Sequence, residues 1–164
     1  MMEDKVIDES IKYLQKKRWL LIYRTSRSRR AGGAGEHGGV DVIMMKDSNK
    51  FLFAEAKGDT RRKTKQSADF TSCLGSLIKR MRLTQGYGLN EAVDGFVGVT
   101  KCERKKLRDL VLEKASFSNS EYVVAFTDQY AGRLKESVDC NFLKKILKTT
   151  VLLVGANGVR IFRV

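Results

Sequence analysis

Two apolar segments joined by a short polar turn constrain the fold of this chain more than any other feature: VDVIMM at 40–45 and FLFAEAK at 51–57. Both segments are rich in residues that favour strands, and the five polar residues between them suit a hairpin turn. Side chains alternate between the two faces of a strand, so Glu55 and Lys57 project from the same face. In such a hairpin, Asp41 lies at the same open end as Glu55 and Lys57.

The rest of the sequence predicts a helix before the hairpin and alternating helices and strands after it. Apolar residues spaced three or four apart indicate helices, and short apolar runs bounded by polar residues indicate strands. Before the hairpin we expect a helix at 4–17, a strand at 18–25 and a flexible loop at 26–39. After it we expect helices at 66–83, 103–114 and 139–148, strands at 95–100 and 122–126, and two final strands around a turn at Asn157-Gly158. This order predicts one mixed α/β domain over residues 1–164.

The chain carries a large excess of positive charge. Lys and Arg number 32 against 19 Asp and Glu, which gives a formal net charge of +13. Net charge informs about partners rather than about fold. An excess of this size favours a phosphate-rich partner, nucleic acid first, because basic side chains that neutralise phosphates release counterions.

Cysteine usage and hydropathy argue against several other classes of protein. Cys73, Cys102 and Cys140 have none of the short spacings of a zinc knuckle or a redox pair, and only one histidine accompanies them. Free thiols favour a reducing compartment. The acidic, polar start does not resemble a secretory signal, and no apolar run approaches the roughly 20 residues of a membrane span. We therefore predict a cytoplasmic protein with no membrane partner.

Asp41, Glu55 and Lys57 together suit the hydrolysis of a phosphodiester. Mg²⁺ prefers carboxylate oxygens, and it usually keeps waters and takes a substrate phosphate oxygen. The metal polarises the phosphate and lowers the pKa of a bound water. A nearby lysine can position or activate that water, or stabilise developing negative charge. The alternative is a solvent-facing Glu–Lys pair on an edge strand beside an unrelated aspartate.

GGVD at 38–41, followed by FLFAEAK at 51–57, resembles the PD-(D/E)xK nuclease superfamily, which includes restriction endonucleases, archaeal Holliday junction resolvases and Mrr-like and RecB-like nucleases. The resemblance implies a restriction endonuclease-like core of helix, three-strand meander, helix and strand, here over residues 4–100. A mixed central sheet and a C-terminal α/β extension complete the expected fold. The resemblance also implies that Asp41 and Glu55 bind one or two Mg²⁺ ions, with Mn²⁺ as a substitute, and that Lys57 is the third catalytic residue. Val40 replaces the proline of the superfamily's name.

Further site residues are suggested by relatives in this superfamily. Several members carry a glutamine in the helix after the lysine, and Gln66 lies nine residues beyond Lys57. Gln66 is therefore either a catalytic accessory or an ordinary solvated residue at a helix start. Many members also take a metal ligand from the first helix, and four acids compete for that role here: Glu3, Asp4, Asp8 and Glu9.

Basic residues on both sides of the hairpin are candidate contacts for nucleic acid. The glycine-rich loop before Asp41 and the segment after Lys57 supply Arg27, Arg29, Arg30, His37, Arg61, Arg62, Lys63 and Lys65. Arginine binds phosphate through two parallel hydrogen bonds, and glycine lets the backbone approach a duplex closely. A solvated loop is the alternative for the first group, and His37 can equally have no role. A further basic cluster at 101–108 has acidic neighbours and is interpreted as a solvated helix face.

The function predicted from these residues is a Mg²⁺-dependent DNA endonuclease. Two other classes stay open: a non-catalytic nucleic-acid-binding module, and a nuclease-fold subunit of a larger DNA-processing complex that docks on an acidic protein. DNA is the expected partner. A homodimer is a second possibility, because cutting both strands of a duplex needs two sites. The sequence leaves open whether RNA is cut and which DNA structure is preferred.

Overall fold

The structure is a computed structural model that describes residues 1–25, 40–60, 62–81 and 95–163 of the chain. Its strands are β1 (Leu20–Arg24), β2 (Val42–Lys46), β3 (Lys50–Lys57), β4 (Ser120–Thr127), β5 (Thr149–Gly155) and β6 (Gly158–Ile161). Its helices are α1 (Glu3–Gln15), α2 (Lys63–Arg80), α3 (Lys101–Lys114), α4 (Ala131–Ser137) and α5 (Cys140–Ile146), with a 3₁₀ turn at Asp128–Tyr130. The flexible loop predicted at 26–39 lies outside the described residues.

The six strands form one mixed sheet in the order β1-β2-β3-β4-β5-β6. The pairs β1-β2, β2-β3 and β5-β6 are antiparallel, whereas β3-β4 and β4-β5 are parallel. The predicted meander, the mixed α/β class and the final hairpin are therefore confirmed. The turn of that hairpin brings Gly155 opposite Gly158, and the positive φ of 105° at Gly158 suits glycine.

Helices cover both faces of the sheet. α1 packs its apolar stripe of Val6, Ile7, Ile11 and Leu14 against one face. The other four helices bury Cys73, Leu77, Val111, Leu134 and Leu143 against the opposite face. The central parallel strands β4 and β5 are thus buried on both sides, which explains their nearly continuous apolar sequences.

Alternation along β3 decides which helices face its charged residues. Leu52, Ala54 and Ala56 point to the α1 face. Phe51 and Phe53 point to the opposite face. The same period of two places Glu55 and Lys57 with the phenylalanines, on the side that α2 covers.

The strand predicted at 95–100 is wrong. Phe96 forms only an isolated bridge to Tyr23, with Arg24 N–H donating to Gly95 O (3.0 Å) and Val97 N–H donating to Ile22 O (3.2 Å). The segment therefore lies along the outer edge of β1 and makes two backbone hydrogen bonds with it. Gly98 then takes a left-handed conformation with φ of 73°, and the chain turns into α3.

Among the described elements, the strand that follows α2 in the sheet is therefore β4. The other predicted helices and strands are present with shifted ends. The helix α4 was not predicted, although Tyr130, Leu134 and Val138 recur at four-residue spacing and are buried. Among the described helices, none is both long and apolar enough to cross a membrane.

Candidate active site

Asp41 and the C-terminal end of β3 meet at one end of the sheet, which we call the site end. Asp41 N–H donates to Ala54 O (3.1 Å), which ties Asp41 to β3. Val42, the first residue of β2, pairs with the same Ala54, so Asp41 lies just before β2 and beside the end of β3. Ala56 N–H donates to Asp41 Oδ2 (2.8 Å), which holds the Asp41 carboxylate beside the backbone between Glu55 and Lys57.

The two carboxylates of this group are buried. Asp41 and Glu55 are each only 6% exposed, whereas the side chain of Lys57 is 31% exposed. Burying a charge is costly unless other charges or hydrogen bonds compensate for it. Lys57 is a nearby cation that interacts electrostatically with both carboxylates, and the carboxylates in turn favour its charged form. Burial alone would lower the pKa of Lys57, but the nearby carboxylates of Glu3, Asp41 and Glu55 outweigh burial and raise it.

Glu3 is the acid of the first helix that reaches this group. Its Oε2 lies 3.6 Å from Lys57 Nζ. Gly58 makes this approach possible, because a Cβ atom added at Gly58 would lie 2.6 Å from Glu3 N and 2.8 Å from Met1 O. The start of α1 therefore packs directly on the backbone that follows Lys57.

The other three acids of α1 have basic partners of their own. Arg24 Nη2 lies 2.9 Å from Asp8 Oδ1 and 3.6 Å from Asp4 Oδ1. Glu9 pairs with Lys12 on the same helix at 2.8 Å. Among the four acids that the sequence left open, the structure thus brings Glu3 to Lys57.

A cleft of about 660 Å³ opens beside Lys57. Three elements meet there: the start of α1, the exit of β3 and the first turns of α2. The lining residues are Met1, Met2, Glu3, Lys57, Gly58, Asp59, Thr60, Lys65 and Asp69. The cleft carries both acidic and basic side chains, and Lys57 is the member of the Asp41, Glu55 and Lys57 group that lines it.

Tyr130, in the 3₁₀ turn after β4, contacts two of the residues that line the cleft, and the sequence analysis did not predict this role. Its hydroxyl donates to Asp69 Oδ2 at 2.8 Å and lies 3.1 Å from Gly58 O. Burial raises the pKa of Tyr130, and the hydrogen bond to Asp69 raises it further. The hydroxyl therefore stays protonated and ties α2 to the exit of β3.

Gln66 and Cys73 lie on the same helix as Asp69. Gln66 is buried, and its Nε2 donates to Thr60 O at 3.1 Å, so its amide joins α2 to the segment that leaves β3. Burial raises the pKa of the Cys73 thiol, and Glu55 raises it further, which places a neutral thiol behind the carboxylates. The spacing of Gln66, Asp69 and Cys73 at i, i+3 and i+7 was the signal for this shared face.

The predicted contacts for nucleic acid are described only in part. Arg62 and Lys65 are exposed at the start of α2, and Lys65 lines the cleft. Five of the predicted contacts lie outside the described residues: Arg27, Arg29, Arg30, His37 and Arg61. The side chain of Lys63 also lies outside the description.

The donor chemistry of the site fits Mg²⁺ better than a metal that needs a closed protein cage. Within the described ranges, no group of three or more His, Cys, Asp or Glu side chains is arranged to hold a metal ion. Mg²⁺ does not need such a cage, because it is usually bound by one or two carboxylates together with waters and substrate phosphates. Asp41 and Glu55 supply two such carboxylates.

Comparison with known proteins adds no relative to this description. None of the family models, curated proteins or solved structures compared with the chain matches it significantly.

Proposed function

We propose that this protein is a Mg²⁺-dependent DNA endonuclease of the PD-(D/E)xK type, with Asp41 and Glu55 as metal ligands and Lys57 as the residue that positions or activates the attacking water. One observation carries the proposal. Two buried carboxylates meet a half-buried lysine where β3 leaves the sheet, and a backbone N–H holds Asp41 in place.

The order of the elements supports this proposal. The chain runs from α1 through the antiparallel meander β1-β2-β3 to α2, and later adds β4 parallel to β3. The resemblance in sequence implies a helix, three strands, a helix and a strand, and this order contains them once α3 is treated as an addition between α2 and β4.

The residues of the site would divide the work as follows. Bound Mg²⁺ would supply positive charge at the phosphate and lower the pKa of a coordinated water. Asp41 and Glu55 would hold the ion, and Ala56 N–H would keep the Asp41 carboxylate oriented. Lys57 would direct its ammonium at the water or at a phosphate oxygen, where positive charge stabilises the transition state. Arg62 and Lys65 would contact the phosphate backbone beside the cleft.

Cleavage assays with matched variants test this proposal. Supercoiled plasmid, branched DNAs and RNA are incubated with Mg²⁺, Mn²⁺ or EDTA. We expect cutting that depends on the metal and falls by about 100-fold or more in Asp41→Ala and in Lys57→Ala. The matched controls are Glu136→Ala and Lys135→Ala, since both residues are exposed and lie outside the cleft.

Two results would contradict the proposal. Cutting that survives in Asp41→Ala would assign it to another site or to a contaminating enzyme. A wild-type protein that binds DNA but cuts no substrate would favour the non-catalytic binding module.

A further inference from the structure

The end of the sheet opposite the site end collects lysines from several elements. The starts of β1, β3, β4 and β5 meet there with the end of β2, because β1 and β3 both run antiparallel to β2, and β4 and β5 run parallel to β3. We call this surface the basic end and define it by Lys17, Lys46, Lys50, Lys144 and Lys148. A cleft of about 260 Å³ lies within it, lined in part by Lys50, Lys144 and Lys148.

Neutral groups, rather than carboxylates, hold several of these ammonium groups. Lys148 Nζ donates to Phe117 O (2.7 Å) and Ser118 O (2.9 Å). Lys144 Nζ donates to Thr150 Oγ1 at 3.2 Å. Lys46 Nζ donates to Lys17 O at 3.2 Å and lies 5.6 Å from the centre of the Trp19 ring. These contacts orient the lysines without cancelling their charge.

Acids near the basic end do not neutralise it. Asp47 and Glu121 are exposed there. In the part of the chain that the structure describes, neither of them forms an ion pair with any of the five lysines. Because five lysines face two acids, the surface has a net positive charge.

The width of the basic end favours an extended anion over a small one. Neighbouring strands lie about 4.8 Å apart, so the distance from β1 to β5 is about 19 Å. Duplex DNA presents one negative charge per about 1.7 Å of its axis, and a face of this width would meet several phosphates.

We propose that the basic end is a second surface for the phosphate backbone of a nucleic acid, separate from the cleft at the site end. The two surfaces lie at opposite ends of β3, about 23 Å apart at 3.3 Å per residue. The proposal concerns binding alone and does not depend on the cleavage proposed above. With this second surface, one chain could bind a duplex at a point far from the phosphate that reacts at the site end.

Binding of a labelled DNA duplex in EDTA, at salt concentrations between about 50 and 200 mM, tests the basic end without any cleavage. The test variant combines Lys17→Gln, Lys50→Gln and Lys144→Gln, which are all exposed positions. The control variant combines Lys101→Gln, Lys105→Gln and Lys106→Gln, which removes the same charge from the exposed face of α3. Circular dichroism confirms that both variants are folded.

We expect the test variant to bind on the order of tenfold more weakly at low salt. The slope of log affinity against log salt should become shallower by about 2 to 3, since each lost phosphate contact contributes about 0.9. The control should change the slope by less than about 1. An unchanged slope in the test variant, or equal losses in both variants, would overturn the proposal. If the protein cuts no DNA but the two variants still differ in this way, the second surface is supported and only the proposed nuclease activity is contradicted.

Discussion

The two ends of the sheet both concentrate charged side chains, but they arrange them in opposite ways. At the site end, Asp41 and Glu55 are buried beside a single half-buried lysine. At the basic end, the ammonium groups of the lysines contact only uncharged groups: carbonyl oxygens, a hydroxyl and an aromatic ring, among the contacts described above. Buried opposite charges hold each other in a defined geometry, as chemistry at one atom requires. Charges of one sign at a surface act over longer distances and suit the attraction of a polyanion.

The largest expected effect separates chemistry from binding. Replacing Asp41 with Asn keeps the shape of the side chain and removes one ligand charge. We expect cleavage to fall by about 1,000-fold, because the metal and its water would be held less well. DNA affinity in EDTA should not fall, since the change removes a buried negative charge that would repel phosphate. Single-turnover cleavage and binding assays on the same protein check both parts, and a parallel loss of affinity would mean that the two ends are not independent.

Gly58→Ala should destabilise the site end through a backbone clash. The added methyl group would press on the backbone of Met1 and Glu3 at the start of α1. We expect a loss of about 1–3 kcal/mol in the free energy of unfolding, as for other overpacked sites. Gly132→Ala is the control, because a Cβ atom there meets nothing within 4 Å and alanine favours helices. Urea unfolding of both variants should show opposite signs, and equal stability would contradict the packing described here.

Tyr130→Phe should have a smaller effect on stability. It removes the hydroxyl that donates to Asp69 and leaves the aromatic ring in the core. We expect a loss of about 1–2 kcal/mol, since a hydrogen bond to a charged group is lost. The control is Tyr13→Phe, because the Tyr13 hydroxyl makes no hydrogen bond within the described residues. Equal unfolding midpoints for the two variants would show that the contact contributes nothing.

The smallest expected effect is a pH dependence that comes from the site end. Burial raises the pKa of the Cys73 thiol above its ordinary value of 9.0. Above that pH the unfolded chain loses the proton and the folded chain keeps it, so the free energy of unfolding falls as pH rises. The slope from this one group is at most about 1.4 kcal/mol per pH unit.

A matched pair of cysteine variants isolates this slope. Cys73→Val should flatten the decline in stability above pH 9.0, whereas replacing the exposed Cys102 with Ser should leave it unchanged. Urea unfolding at a series of alkaline pH values measures both. Lys57 acts in the same direction, because its raised pKa also gives stability that is lost as pH rises. A decline that persists in full in Cys73→Val would assign the dependence to Lys57 or to other groups.

The helices and strands that depend on a regular spacing of apolar residues along the chain could be predicted from the sequence. The amphipathic α1, the hairpin of β2 and β3, and the apolar strands β4 and β5 all lie close to their predicted positions. The prediction of a strand at 95–100 was wrong. The apolar residues of this segment suited a strand, but Gly98 ends the extended conformation. The helix α4 was missed, although its spacing was present in the sequence.

The local geometry of the candidate site follows from adjacent residues. A period of two places Glu55 and Lys57 on one face of β3, and a short turn brings Asp41 to the same end of the hairpin. Only the tertiary structure selected Glu3 among four acids, brought Tyr130 to Asp69 and gathered five separate lysines at the basic end. The physical reason is that alternation and turns depend on adjacent residues. Contacts between distant residues depend on strand order, strand direction and packed helices, which no short stretch of sequence specifies.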